Sequence, residues 1–554
     1  MHSPLRPVSA VILAGAAFVG TNLGCTSEGD GTSGGSSSGS SGELASSGEG
    51  TTPTTGADTG ETPTTGGTAD ATTGGEPLTR VEQILAGLDV AMYECPERVW
   101  PDVEDNYRAR QVVLASESEN MAWVWNYQGV DGEPPVVTKG PLDSLPPEWT
   151  SYFNVGFLGV APAVGISLDA TQENNDSVIA GGGTLWPDYA SVLAYHEGFH
   201  FLSDQDDWST GGGSRSAPYP APWEPRYLRA QLKRALLAEA QGEDKTLAAA
   251  AYWHGRLLAE HGEEMGAIRS YDCTEGSAEY VALMMSALAE LGCEASDEEL
   301  LALATSHLAD GIFVDATGFD VGREPYDLGV LAGLILRGSG AQGWELKVEK
   351  GDAPADQLLA GVSPADQPED PALEAEVEAT IAENNMKVGL EIEPLLAHMK
   401  DPAYTRIVVS QGWIEGSFGL GGFYYLADDP LETDVWLTFS ATLTPGSAVV
   451  EVMGLTILAD VITPCALSGS GSIVLAVPTA DITLAGGTAT IGSATLAFDG
   501  LAVEATMDGD MLPWLCPVDG GGAGAVAPEP GRALHVLREA PGAGQRVLLR
   551  PLTQ

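Results

Sequence analysis

The hydrophobic pattern of the chain changes its period near residue 405, and this change constrains the fold more than any other feature. Up to that point, long segments place apolar residues at the spacing of amphipathic helices. Beyond it, short runs of β-branched and aromatic residues alternate with polar ones and are separated by glycine, proline and aspartate. The pattern predicts a unit rich in helices, followed by an all-β unit of the sandwich or barrel type.

The same patterns predict the individual elements. Helices are predicted at residues 78–92, 187–203, 226–240, 246–261, 272–291, 326–337 and 374–399. Strands are predicted at residues 110–115, 122–127, 152–160, 164–170, 434–440, 447–453, 472–477 and 488–491. The first two strands are separated by a polar turn, so we expect them to form a hairpin within a small N-terminal sheet.

These elements lead to a fold class and a domain plan. The predicted class is α+β: a mainly helical domain with a small N-terminal β-sheet over residues 78–404, then an all-β, sandwich-like domain over 405–520. Residues 26–77 are almost entirely Ser, Gly, Thr, Asp, Glu and Ala. Such a segment cannot bury a core, and we expect a disordered linker. Residues 521–554 form a Gly/Ala/Pro-rich tail.

Near the N-terminus, positive charge is followed by a short apolar run, Val8–Val19, and then by Gly24 and Cys25. The run is too short to span a bilayer. Residues 1–25 resemble a bacterial lipoprotein signal peptide, in which Gly24 would precede the cleaved bond and Cys25 would become the lipidated terminus. Asn22 departs from the aliphatic residue usual in that signal, so ordinary signal cleavage is the alternative. The resemblance implies an exported protein, lipid-anchored at the bacterial cell envelope or cell surface.

The charge balance is strongly acidic, with 78 acidic against 25 basic residues and a formal net charge of −53. Because the sequence offers no basic patch to hold a phosphate backbone, we expect no nucleic-acid partner. The acid excess is expected to form a solvated surface, with specific cation binding as the alternative.

Besides Cys25, the chain has five cysteines, and export would permit disulfides between them. Cys465 can pair with Cys516, and Cys273 with either Cys293 or Cys95, which leaves one thiol over. The sequence contains no CxxC pair, so a zinc site made of thiolates is not expected.

The segment His196-Glu197-Gly198-Phe199-His200 has the spacing HExxH within a predicted helix. Residues four apart on a helix lie on one face, so two imidazoles at this spacing can hold one metal ion. Glu197 lies about 100° round the helix from His196, a direction that suits a general base better than a ligand. The alternative is that both histidines are hydrogen-bonded core residues.

A second motif, EGSAEY at residues 275–280, opens the helix expected to begin near Asp272. The two motifs together resemble the gluzincins, zinc metallopeptidases in which HExxH is followed by a helix bearing a glutamate ligand. The resemblance implies a zincin-like fold for residues 78–404, with zinc held by His196, His200 and Glu275, and with Glu197 as the catalytic base. Glu279 matches an acidic residue that in some members accepts a hydrogen bond from a ligand histidine.

The chain departs from the aminopeptidase-type gluzincins in two respects. Seventy-four residues separate His200 from Glu275, so the predicted helices between them would be an insertion beside the site. The segment with which those enzymes hold a substrate amino terminus is absent. The resemblance therefore implies an endopeptidase acting on peptide or protein substrates. An oxyanion donor cannot be chosen among four candidates, each of which also suits a structural role: Tyr252, His254, Tyr271 and Tyr280.

Two other classes of function compete with the peptidase. The first is a surface lipoprotein with an inactive metal-binding domain that binds peptide or glycan. The intact base Glu197 favours an enzyme, because a metal-binding scaffold has no use for it. The second is a structural lipoprotein with a chance motif, which the downstream Glu275-Gly276 segment argues against.

Overall fold

The computed structural model describes residues 78–518, apart from short stretches, and two further strands near the C-terminus. The longest stretches left out are 128–133, 181–185, 204–207, 209–216, 309–312, 428–432 and 466–470. The predicted signal segment with Cys25, the predicted linker and much of the predicted tail lie outside the described residues.

The helices are α1 Arg80–Leu88, α2 Glu104–Arg108, α3 Leu168–Ala180, α4 Tyr189–Ser203, α5 Glu224–Ala240, α6 Thr246–Glu260, α7 Gly262–Leu291, α8 Asp297–Ser306, α9 Glu324–Gly338, α10 Glu345–Val348, α11 Pro354–Leu359 and α12 Pro371–His398. The strands are β1 Gln111–Ser116, β2 Met121–Trp125, β3 Thr138–Pro141, β4 Phe153–Leu158, β5 Ala161–Ser167, β6 Ala217–Tyr219, β7 Tyr404–Ser410, β8 Ile414–Gly419, β9 Gly422–Leu426, β10 Asp434–Leu443, β11 Val450–Ala459, β12 Ser472–Pro478, β13 Thr483–Ala485, β14 Thr488–Gly492, β15 Leu496–Met507, β16 Pro513–Pro517, β17 Leu534–Leu537 and β18 Leu548–Pro551.

A five-stranded sheet near the start of the described chain has the order β3-β2-β1-β5-β4. The predicted hairpin is confirmed, because β1 pairs antiparallel with β2 from Val112 opposite Trp125 to Ser116 opposite Met121. Strand β5 runs parallel to β1, and helix α4 packs against β5. This sheet therefore supports the helix that carries the HExxH motif.

The second large sheet corrects the predicted fold class. Its strands follow the order β13-β14-β15-β16-β7-β12-β11-β10-β9-β6, and an additional pairing joins β15 to β11. That pairing places Val450 opposite Phe498 and closes β15, β16, β7, β12 and β11 into a ring. The prediction of a sandwich-like domain was wrong. Alternating apolar residues show that one face of each strand is buried, but they do not distinguish two facing sheets from one sheet that closes on itself.

The predicted mainly helical, zincin-like domain was wrong as well. Helices and strands both make up a large part of the described residues, so their content is mixed rather than mainly helical. Strand β6, which precedes α5 in the chain, pairs in parallel with β9 and so joins the second sheet. At three residues, β6 is too short to produce an alternating pattern that could be recognised in the sequence.

Two disulfides cross-link the described residues. The predicted pair Cys465–Cys516 is confirmed, and Cys95 pairs with Cys293. Cys273, which we expected to be bonded, is a buried free thiol. None of the helices described is sufficiently long and apolar to cross a membrane.

Candidate metal centre

The HExxH motif lies on α4, a helix of 15 residues whose start is fixed by Asp188. The Asp188 Oδ1 atom accepts from the backbone N–H of Ala190 at 2.9 Å, the capping contact that leaves fewer helix N–H groups unpaired. Asn175 of α3 donates to the other carboxylate oxygen at 3.1 Å and accepts from the N–H of Tyr189 at 3.1 Å. The N-terminus of α4 is therefore held against α3 by these hydrogen bonds.

Gly198, the third residue of the motif, permits a close approach by α2. A Cβ atom at this position would lie 2.9 Å from Cε1 of Tyr107, closer than ordinary van der Waals contact. The Tyr107 hydroxyl donates to the carbonyl of Tyr195 at 2.9 Å in the buried interior. A glycine between Glu197 and Phe199 thus lets a tyrosine ring pack directly on the helix backbone.

The carboxylates come from α7, which packs tightly against α9. A Cβ atom on Gly276 would lie 2.8 Å from both the Cα of Gly329 and the carbonyl oxygen of Pro325. The close approach explains why glycine follows Glu275 in the second motif. Helix α7 begins at Gly262, ten residues before the predicted start, and Glu275 therefore lies well inside it.

His196, His200 and Glu275 converge on one point. The Nε2 atom of His196 lies 3.2 Å from Oε2 of Glu275 and 3.1 Å from Nε2 of His200. The remaining edge, from His200 Nε2 to Glu275 Oε2, is 3.2 Å. In a tetrahedral site with ligands at about 2.0–2.1 Å, neighbouring ligand atoms are about 3.3 Å apart. These three buried side chains form a triangle that could hold a metal ion.

Glu279 lies behind this triangle. Its Oε2 atom is 3.1 Å from Nδ1 of His196, the ring nitrogen that faces away from Glu275. A carboxylate in this position fixes the histidine tautomer that leaves Nε2 free to bind a metal. The structure thus brings Glu279 together with the three predicted ligands.

Two further residues surround Glu279 and His196: Arg323, which directly precedes α9, and Tyr326 on α9. The sequence analysis did not identify either of them. Arg323 donates from Nη2 to Oε1 of Glu279 at 2.8 Å. The ring of Tyr326 stacks on His196 with centroids 5.6 Å apart and planes inclined by 11°. The only sequence signal was that charged residues flank Pro325 at the start of an almost wholly apolar helix, and this did not point to a role for either residue.

The carboxylates change the protonation of the metal-free histidines. Burial alone would lower the pKa of His196, but hydrogen bonds with Glu275 and Glu279 outweigh it and raise the pKa to about 10. Burial also opposes a charge on His200, yet the charge of Glu275 raises its pKa. The negative potential that stabilises these protons would equally stabilise a metal cation.

Glu197 is 6% exposed and contributes to the same potential. Its charge adds to the groups that raise the pKa of both His196 and His200. The carboxylate is therefore electrostatically coupled to His196 and His200.

Tyr280, His254 and Tyr252, three of the candidate oxyanion donors, contact residues other than His196, His200 and Glu275. Tyr280 packs edge-on against Trp100 and receives a hydrogen bond from Arg337 at 3.3 Å. His254 lies 2.9 Å from Asp356, and Tyr252 packs against Trp253 with ring centroids 4.9 Å apart. Tyr271 is buried on α7.

The chain matches no protein-family model, and no curated protein or solved structure is similar enough to match it. The assignment of the metal centre therefore depends on the geometry of its own residues.

Proposed function

We propose that the protein is a zinc-dependent metallopeptidase, most simply an endopeptidase. The observation that carries the proposal is the 3.1–3.2 Å triangle of His196, His200 and Glu275 with Glu197 coupled to it. Two histidines and one glutamate, with a fourth position left for water, are the donor set of hydrolytic zinc sites. The gluzincin-like spacing of the motifs supports the same proposal.

The donor set favours zinc among common metals. Imidazole suits zinc, whereas calcium and magnesium prefer sites made wholly of oxygen. The chemistry that zinc would supply here is polarisation of a scissile carbonyl and a water acidified towards a pKa of about 7. Glu197 would accept the proton of that water and deliver it to the leaving amine. Glu279 would hold His196 with its Nε2 atom facing the ion.

We further propose that the chain is exported and anchored through Cys25. The signal-like segment and the linker-like composition of residues 26–77 directly after Cys25 support this, as do the two disulfides, because such bonds persist in oxidising compartments. Peptides or proteins outside the cell would then be the substrates.

The test compares wild type with Glu197→Gln for zinc content and for cleavage of a mixed peptide library. Glu197→Gln should keep its zinc and lose cleavage by a factor of about 10² or more, since general-base catalysis contributes about 10²–10⁴-fold. Glu290→Gln is the matched control, because Glu290 is an exposed glutamate on α7. Zinc binding without cleavage by wild type would contradict the peptidase and favour the binding protein.

A further inference from the structure

A chain of hydrogen bonds runs from Asp327, in the first turn of α9, to the triangle of His196, His200 and Glu275. Asp327 accepts from Nε of Arg323 at 3.3 Å, and Arg323 donates from Nη2 to Glu279 at 2.8 Å. Glu279 in turn lies 3.1 Å from Nδ1 of His196. The two oxygens of Glu279 are thus divided, one towards the arginine and one towards the ligand histidine.

Asp327 is itself fixed on several sides. Its Oδ2 atom lies 3.1 Å from Nζ of Lys233, and its Oδ1 atom accepts from the backbone N–H of Asp315 at 3.1 Å. The side chain of Asp327 is 1% exposed and that of Lys233 is 3% exposed. A carboxylate held by a lysine of α5 and by a backbone amide gives Arg323 a rigid point of attachment.

We infer that Arg323 is a positioning residue for the metal centre. Its planar guanidinium bonds Asp327 and Glu279 from different nitrogens, a geometry that a lysine ammonium does not reproduce. These two hydrogen bonds of the guanidinium fix the orientation of the Glu279 carboxylate, and through it the tautomer of His196. The inference rests on the proposed metal centre but is independent of which substrate is cleaved.

Charge and geometry make opposite predictions for this residue. A positive charge near the site repels a metal cation, so its removal would strengthen zinc binding if charge were its only effect. Loss of the guanidinium hydrogen bonds would free the carboxylate of Glu279, whose side chain is 5% exposed, to reorient and would weaken zinc binding. The sign of the change in affinity therefore distinguishes the two effects.

The experiment measures the zinc dissociation constant of the full chain by competition with a chelating dye, using Arg323→Gln and Arg323→Lys. Arg323→Gln should weaken zinc binding about 10-fold or more, the usual loss for a partner behind a metal ligand. Arg323→Lys keeps the charge and should still weaken it several-fold. In a Glu279→Gln background, Arg323→Gln should add less than about twofold, because the two residues act in series.

Arg337→Gln is the control. Arg337 lies on α9, the helix that Arg323 directly precedes, and donates to Asp297 and to the backbone of Arg98, so its loss should lower stability with zinc affinity unchanged. If Arg323→Gln fails to fold, Arg323→Lys alone provides the test, because it keeps the positive charge beside Asp327 and Glu279 and several-fold weaker binding is expected.

Wild type that binds no zinc would contradict the metal centre itself. Wild type that binds zinc, together with an Arg323→Gln variant that binds it equally or more tightly, would overturn the positioning role alone. Losses that add fully in the double variant would overturn it as well.

Discussion

At the scale of single residues, Glu275 and Glu279 make different contacts although only one helical turn separates them. Glu275 contacts the Nε2 atoms of both histidines, whereas Glu279 reaches the opposite nitrogen of His196 only. Their places on α7 explain the difference. A ligand bonds the ion directly, and a carboxylate behind a histidine acts through the orientation of the ring.

Replacement by alanine should separate these two parts. Glu275→Ala removes one of three protein ligands and should cost more zinc affinity than Glu279→Ala, for which a loss of about 10–100-fold is expected. Zinc dissociation constants of the two variants, measured under one condition, check the order. A larger loss for Glu279→Ala would mean that the ligand carboxylate has been misassigned.

Zinc binding should also release protons. In the metal-free protein the pKa of His196 is raised to about 10, so this histidine carries a proton at pH 7.5 that it must lose to bind through Nε2. Zinc affinity should therefore rise as the pH rises towards about 10. Calorimetry at pH 7.5 in two buffers of different ionisation enthalpy should show at least one proton released per zinc; a heat that is independent of the buffer would contradict this.

At the scale of elements, the HExxH helix and the hairpin β1–β2 follow from local patterns, whereas the pair Cys465–Cys516 was one of several pairings that the sequence allowed. The start of α7 at Gly262 could not be predicted in this way. The helix propensity of the residues before Asp272 is a weak signal, and tertiary contacts decide where the helix begins. Arg323 and Tyr326 could not be assigned from sequence. Their contacts with Glu279 and His196 depend on how α9 crosses α7 at Gly276 and Gly329. The geometry of such a crossing leaves no periodic pattern in the sequence.

The crossing itself can be tested by adding one methyl group. Gly276→Ala would place a Cβ atom 2.8 Å from backbone atoms of α9, which cannot yield as a flexible side chain can. We expect a loss of about 1–3 kcal/mol in the free energy of unfolding, with weaker zinc binding as α7 and α9 separate.

Gly266→Ala on the same helix is the matched control, since an added Cβ there meets nothing within 4 Å. It should be neutral or stabilising by about 0.5–1 kcal/mol. Urea unfolding of the two metal-free variants gives the comparison, and equal stabilities would contradict the close crossing.

At the scale of the whole molecule, the described residues from Val81 onward belong to one compact unit. The alternating pattern predicted the strands, but closure of the sheet required pairing between β11 and β15, which lie far apart in the chain. The bond Cys95–Cys293 spans 198 residues, and Cys465–Cys516 spans 51.

The longer disulfide loop should contribute more to stability. In the chain-entropy description, closing the longer loop stabilises the fold by about 1 kcal/mol more than closing the shorter one. Denaturant unfolding of Cys95→Ala/Cys293→Ala and of Cys465→Ala/Cys516→Ala under non-reducing conditions measures both. A larger loss for the second pair would contradict the ranking.

The most direct test of the metal centre is X-ray absorption at the zinc edge of the zinc-loaded full chain. One zinc per chain is predicted, with two imidazole nitrogens, one carboxylate oxygen and one further light atom at about 2.0–2.2 Å, and no sulfur. In His200→Ala the stoichiometry should fall well below one. A wild-type chain without zinc, a sulfur ligand, or full zinc occupancy in His200→Ala would contradict the assignment of His196, His200 and Glu275.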